Sequence, residues 1–389
     1  MTVTALPLPA SFAPPAATDP RLFAELARTQ LAPRVEKTYR SESLDLPSWR
    51  RFAKEGLWRA GVPEHLGGHG GTWRDLALRL ADIARHGGDL GFVLSLIAHA
   101  GLVRALTEYG GPWHHQHVLW PLLGGEVGAT ALTEPHGGSD VASTRTHAVK
   151  SAGGWLLSGL KDHITNAPVA DRALVLGRIP ALGRRDITLF LVDLRSRGIR
   201  RGPAEQLLGL RTSPTGAIEM HGVPVPENAV LGAPGEGLRT LYNVISFDRA
   251  LYGLVSAAFL EPELAKVVAF AKERQAFGSP ILDHQYVQGR ITDIQITIET
   301  ARATALAGID ALVAGDPEAS LRCSVAKLVG SEGLVEAAKN LMVLHGHLGY
   351  MRGPQSRTMQ DALGTLIAGG TSDMQRKNIL NQLLAMNGS

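Results

Sequence analysis

Ala131-Leu132-Thr133-Glu134-Pro135-His136-Gly137-Gly138-Ser139-Asp140 brings hydroxyls, adjacent glycines and two carboxylates together, directly before an alternating segment that reads as strand. Gly137 and Gly138 predict a tight turn whose backbone N–H groups can approach a ligand closely. Thr133 and Ser139 add short donor and acceptor side chains on either side of that turn. Such a loop suits a planar heterocycle or a phosphate. A polar turn closing a β-hairpin is the plain alternative.

Outward from this stretch the texture of the chain changes twice. Before it, from about 21 to 124, apolar positions recur at helical spacing: Leu76, Leu80, Ile83 and Ala84 form one stripe, and Phe92 through Leu106 is apolar nearly all round. Gly110-Gly111-Pro112 stops that helix. After it, short runs such as Trp155–Ser158, Ala173–Leu176 and Ile187–Val192 alternate between Gly, Pro and Asp turns and predict β-sheet. Past Gly237 helical periodicity returns at roughly 238–275, 283–314, 318–345 and 373–386, which predicts a bundle. The expected division is a loose Ala/Pro-rich arm at 1–18, a helical domain at 19–124, a β domain at 125–234 and a helical bundle at 235–389.

Composition bounds the rest. A chain of 389 residues exceeds one hydrophobic core. Its 44% hydrophobic content is that of a soluble protein, and no apolar run is expected to span a membrane. The arm lacks a signal peptide's basic and apolar regions, and Cys323 is the only cysteine, so a cytoplasmic location is expected. Net charge is only +3, with no dense Lys/Arg block, which excludes nucleic acid as an expected partner. The nearest cluster, Arg195, Arg197, Arg200, Arg201 and Arg211, reads as a solvated face or as a landing site for phosphates or an acidic carrier. No metal-ligand spacing occurs among the 14 histidines.

Three segments carry a specific resemblance. A-L-T-E-P-x-G-G-S-D at 131–140, Gly159-Leu160-Lys161-Asp162-His163-Ile164-Thr165-Asn166-Ala167, and Arg274-Gln275-Ala276-Phe277-Gly278 followed by Pro280, Gln285 and Gln288 are similar in order and spacing to the signatures of the acyl-CoA dehydrogenase family. Weaker echoes are Val62-Pro63-Glu64, Gly209-Leu210-Arg211 and Leu231-Gly232. The resemblance implies an α+β architecture: an all-α domain, a β-barrel-like or sandwich domain, and a C-terminal four-helix bundle. It implies FAD as cofactor and an acyl thioester, on CoA or a carrier protein, as substrate. A homodimer or homotetramer is implied, with an electron-accepting flavoprotein or O₂ as the other partner.

By the same resemblance Leu132, Thr133, Gly138, Ser139, His163 and Thr165 face the flavin. Arg274, Phe277, Gln285, Gly346 and His347 reach the flavin of a neighbouring subunit, and Thr371 and Asp373 lie by the adenosine. Ser139, Arg249, Ala368, Gly369 and Gly370 border the substrate. The sequence also departs from the family. Where most members have a catalytic glutamate in Y-E-G-T-S, this chain reads Ala368-Gly369-Gly370-Thr371-Ser372, so the usual base is missing. Some members carry the base on the first bundle helix, just before an arginine, and Asp248 before Arg249 holds that position. His163 replaces an aromatic residue, Ala368 replaces a tyrosine, and Val343 stands where a glutamine is usual. Expected, therefore, is α,β-dehydrogenation of an acyl thioester with Asp248 as base, in a specialised biosynthetic member. The competing expectations are an oxygenase or oxidase on the same fold, and a flavin-binding scaffold without chemistry.

Overall fold

A computed structural model describes residue 19 and residues 21–387; the arm expected at 1–18 lies outside the described residues. Short helices at Leu22–Leu26, Val35–Arg40 and Leu46–Lys54 lead into α1 (Trp73–Gly87) and α2 (Leu90–Tyr109). α1 starts at a reciprocal cap, in which the Thr72 N–H and hydroxyl both donate to Asp75 Oδ2 at 2.6 and 2.8 Å. Leu76, Leu80, Ile83 and Ala84, the stripe read from spacing, are all fully buried. α2 starts where Asp89 Oδ1 accepts the Phe92 N–H at 2.9 Å. Against the sequence expectation, α2 is long and apolar enough to cross a membrane, with mean hydropathy 1.7 over its best window. It is instead the central helix of the core: 89% of that window is buried by the surrounding protein.

The middle of the chain is one eight-stranded sheet in the order β6-β7-β3-β2-β4-β5-β8, with β1 attached to β4. The strands are β1 (Gly128–Ala131), β2 (His147–Ser151), β3 (Gly154–Thr165), β4 (Arg172–Arg178), β5 (Ile187–Asp193), β6 (Ile199–Arg201), β7 (Thr215–Pro226) and β8 (Val230–Leu231). β1 pairs β4 in parallel, with Gly128 opposite Arg172, and does not pair β2. The 131–140 stretch is therefore not a hairpin turn. It is a loop leaving the sheet.

The C-terminal helices are α3 (Gly237–Glu273), α4 (Gln285–Ala314), α5 (Ala319–Leu344), α6 (Pro354–Thr365) and α7 (Ser372–Asn387). α3, α4 and α5 pack on one another, α7 packs on α5, and α3 also lies on α1 and α2. α6 has no counterpart in the sequence expectation, because its residues are mostly polar and leave no strong apolar stripe. It joins the parts of the fold. Asp361 of α6 accepts the Leu210 N–H at 2.6 Å and lies 3.2 Å from the Tyr39 hydroxyl. Thr212 bonds Asp89 at the start of α2, and Arg211 pairs with Glu42 at 3.3 Å. The Gly209–Arg211 echo is thus a clamp between all three regions.

The arginine cluster does not form one free cationic face. Arg195 pairs with Asp193 and Glu126, and the Arg201 guanidinium donates to the Ala170 carbonyl at 2.9 Å. Cys323 is buried on α5, and burial pushes its thiol up to about 12, as an inert small hydrophobe requires.

Candidate active site

The β-domain half of the site is held by a charge that the sequence motif does not advertise. Glu134 is 4% exposed, and its carboxylate accepts from Thr144 Oγ1, the Arg145 N–H at 2.7 Å, the Thr146 N–H at 3.0 Å and Lys161 Nζ at 2.8 Å. These donors hold the carboxyl well below its ordinary range. Lys161, fully buried on β3, also donates to the Leu132 carbonyl at 2.9 Å. Thr133 is tied in turn, its carbonyl accepting the Asp162 N–H at 3.0 Å. The backbone of Leu132 and Thr133 is therefore fixed from below while its outer side stays open. The expected tight turn is present, closed by the Gly137 N–H donating to the Glu134 carbonyl at 3.0 Å, and it forms without a positive φ at Gly137 or Gly138. Gly137 is small because Ser143 Oγ lies 2.5 Å from the site of a Cβ, whereas at Gly138 no atom lies within 4 Å and the backbone is open to a ligand.

Lys161 predicts a large effect. Lys161→Met leaves Glu134 buried without its counter-charge and should cost on the order of 3–5 kcal/mol. The melting temperature of the apoprotein and the flavin retained on purification should fall together. An unchanged melting temperature would show that the four-donor cage does not depend on the ammonium.

On β3 the register against β7 shifts between Lys161 and Ile164, a bulge that leaves Asp162 and His163 out of the ladder. His163 has φ +56° and its ring stands outward, with Nδ1 3.0 Å from Glu205 Oε1. Asp162, His163 and Glu205 thus converge, a trio that linear spacing could not reveal because Glu205 arrives from another strand connection. Thr165 closes the strand opposite Thr215, and Asn166 locks that end by donating to the Ser95 and Gly128 carbonyls at 3.1 and 3.0 Å.

The helical half of the site is built on α3. Asp248 sits inside the seam between α2 and α3, with its carboxylate on Gly101. A Cβ at Gly101 would stand 2.7 Å from Asp248 Oδ2 and closer still to Oδ1, so only glycine leaves room. Oδ1 is buried and has no hydrogen-bond partner. Burial pushes the carboxyl up to about 8, against the opposing pull of Arg104 and Arg249. Arg104 is committed elsewhere, donating to the Asn243 carbonyl and side chain at 3.0 and 2.8 Å. Arg249, one residue on and about 100° round the helix, is 5% exposed, and burial lowers its pKa. It makes no ion pair with Asp248 among the described residues, and its pull on the carboxyl is outweighed by burial.

Gly369 and Gly370 come to the same place. Gly369 has φ +70°, and a Cβ there would stand 2.6 Å from the ring of Tyr252, one turn along α3 from Asp248. The turn is held from behind by fully buried Gln375, whose amide donates to the Gly369 and Gly370 carbonyls at 3.3 and 3.1 Å. Lys327, also fully buried, donates to the Thr365 carbonyl at 2.9 Å just upstream. The backbone N–H groups of Gly369 and Gly370 have no acceptor among the described residues. Tyr252, Gly101, Gln375 and Lys327 were invisible to motif reading, since each matters only through a neighbour distant in sequence.

The remaining site residues lie apart. Arg274 directly follows α3 and Gln285 starts α4; neither side chain caps its helix. Phe277 is 100% exposed with φ +52°, and Gly346 and His347 are exposed. Thr371 caps α7, accepting the Met374 N–H at 3.2 Å, and Asp373 is exposed. None of these bonds the Leu132–Asp140 loop among the described residues. Ser139 is exposed on that loop, Ala368 is half-buried against the core, and Val343 is exposed.

Family models for the acyl-CoA dehydrogenase N-terminal, middle and C-terminal domains match residues 21–126, 129–223 and 235–384. An acyl-CoA dehydrogenase of Bacillus subtilis (strain 168) is 31% identical over 371 residues, 94% of this chain and 96% of the relative. The chain belongs to the acyl-CoA dehydrogenase family. It is an FAD-dependent oxidoreductase acting on CH–CH bonds. It is also similar to the L-prolyl-[peptidyl-carrier protein] dehydrogenase of Pseudomonas fluorescens, 29% identical over 86% of this chain and 89% of that one. The butyryl-CoA dehydrogenase structure from Megasphaera elsdenii superposes with TM-score 0.88 at 28% identity, covering 95% and 99% of the two chains. The residues present fit the flavin of this family: a backbone pinned from below at Leu132 and Thr133, open space over Gly138, and Thr165 at the end of the bulged strand.

Proposed function

We propose that this enzyme introduces an α,β double bond into an acyl thioester, with Asp248 as the base. The observation that carries the reading is the half-buried Asp248 carboxylate, whose buried Oδ1 has no hydrogen-bond partner and which faces Gly101. Bound FAD supplies the hydride acceptor, and Leu132, Thr133, Gly138, Ser139, His163 and Thr165 would hold its ring and pyrophosphate. The α-proton is weakly acidic, so its acceptor must be basic in a dry place, and burial does this for Asp248. As the proton leaves, charge grows on the thioester oxygen; the free N–H groups of Gly369 and Gly370 are the donors available to meet it. A carboxylate one methylene shorter than glutamate requires the acyl group to sit closer to α3.

Arg274, Phe277, Gln285, Gly346, His347, Thr371 and Asp373 belong, in this reading, to the flavin site of a second subunit. Their support is the apolar surface around them: Phe277, Tyr286, Tyr350 and Ile367 are 100, 91, 78 and 70% exposed, more apolar area than a lone subunit leaves in water. Arg274→Ala should therefore weaken FAD retention and subunit assembly together, read by flavin content and sedimentation velocity. Loss of neither would remove Arg274 from the site.

Specialised biosynthesis on a carrier protein is favoured by the similarity to the prolyl-carrier relative and by the small residues at 368 and 369. The test is anaerobic mixing with a panel of acyl-CoA and acyl-carrier thioesters, with the flavin spectrum and product mass recorded together. Bleaching by a thioester alone supports the dehydrogenase. A flavin that bleaches only with an added reductant supports the oxygenase reading, which rests on Gly369 lacking a carboxylate and on His163 standing in place of an aromatic residue.

A further inference from the structure

Tyr252 is a large polar side chain beside Asp248 to which this reaction assigns no task. It lies four residues along α3 from Asp248, so the two side chains are neighbours on one helix face. The ring fills the volume that a side chain at 369 would occupy, with Cε2, Cδ2 and Cζ at 2.6, 3.2 and 3.2 Å from the Cβ position. The residue is 6% exposed, yet its hydroxyl makes no hydrogen bond among the described residues. Buried Lys327 does not serve it. Lys327 Nζ stands 5.9 Å from the ring centre and is already spent on the Thr365 carbonyl. The hydroxyl itself is not among the buried unpaired polar atoms, so the tip of this otherwise buried ring keeps accessible surface and is open to a partner that arrives with the substrate.

We propose that the Tyr252 hydroxyl is the specificity-determining group of the acyl pocket: it hydrogen-bonds a nitrogen or oxygen carried on a short acyl group, so that the pocket takes polar-substituted acyl thioesters over plain hydrocarbon ones. This rests on the acyl-thioester reading above. Three residues together make the selection. Gly369 and Ala368 remove side chains from the floor, and Tyr252 returns a ring with a polar tip where a hydrocarbon chain would otherwise find apolar wall. A hydrocarbon acyl group entering this space leaves the hydroxyl unpaired, and a site built around such a bond discriminates strongly against the analogue lacking it.

The experiment uses the FAD-loaded enzyme and pantetheine thioesters in pairs that differ by one heteroatom: prolyl against cyclopentanecarbonyl, and 4-hydroxybutyryl against pentanoyl. Wild type should favour the heteroatom member by about tenfold or more in kcat/KM. In Tyr252→Phe that preference should vanish, while the hydrocarbon member changes less than about threefold and flavin content is unchanged. A preference that survives in Tyr252→Phe, or an equal fall for both members of each pair, overturns the assignment. Non-reactive thioethers of the same pairs, read by perturbation of the flavin spectrum, separate the two levels. If they bind with a Tyr252-dependent preference but no thioester bleaches the flavin, dehydrogenation fails and the specificity role stands. If they bind without preference, the specificity role fails.

Discussion

Asp248→Asn is expected to slow anaerobic flavin reduction by an acyl thioester by about 10²–10⁴-fold, the range over which a positioned general base acts. FAD should stay bound, because no residue of the Leu132–Asp140 loop depends on Asp248. The carboxylate is the working form and burial raises its pKa to about 8, so reduction in the wild type should climb as pH rises through that region. The same shift has a consequence for stability. In the unfolded chain this carboxyl ionises near 4, so between about pH 4 and 8 the folded state holds a proton that the unfolded state has released. Stability contributed by this residue therefore falls as pH rises across that window. Asp248→Asn should melt higher than wild type at pH 8–9 and little differently at pH 4. A variant that bleaches at the wild-type rate would falsify the assignment of the base. Asp248→Glu is the companion: reach alone should speed reduction of a straight-chain substrate, provided Gly101 is untouched.

The second large effect concerns restoring the family's usual base. Gly369→Glu should neither rescue Asp248→Asn nor fold well. Position 369 has φ +70°, where a residue with a Cβ pays about 1–2 kcal/mol, and that Cβ stands 2.6 Å from the Tyr252 ring. Overpacking typically adds about 1–3 kcal/mol. Together they predict a loss of about 2–5 kcal/mol, measured by denaturant unfolding of the apoprotein. Adding Tyr252→Ala should recover the packing part and leave the backbone part. If Gly369→Glu alone is as stable as wild type, Tyr252 does not hold that volume.

The two variants test one idea from opposite sides. In the proposed reading the proton acceptor lies on α3 and not in the 365–371 turn, and the Tyr252 ring fills the space beside position 369. Moving the carboxylate back is then a packing problem before it is a chemical one.

Much of this could be read from residues in order. Element type, the helical–β–helical sequence and the likeness to the acyl-CoA dehydrogenases follow from periodicity and from motifs whose members are close neighbours in the chain. Asp248 was legible for the same reason, since it directly precedes Arg249. The tight turn at Gly137 and the all-round apolar helix from Phe92 to Leu106 were legible in the same way. One expectation failed: α2 proved long and apolar enough for a bilayer, since a helix covered by protein on every side needs no polar face.

What the sequence alone determined is the kind of molecule: its three-part architecture, its flavin motif, and the absence of a carboxylate at 369. Only the tertiary structure decided what surrounds Asp248. Burial, the missing partner of Oδ1, the Gly101 notch and the Tyr252 ring against Gly369 all arise between segments 100 or more residues apart. The physical reason is that a carboxyl's basicity and a pocket's shape depend on desolvation and contact, which are set by neighbours in space and not by neighbours in the chain.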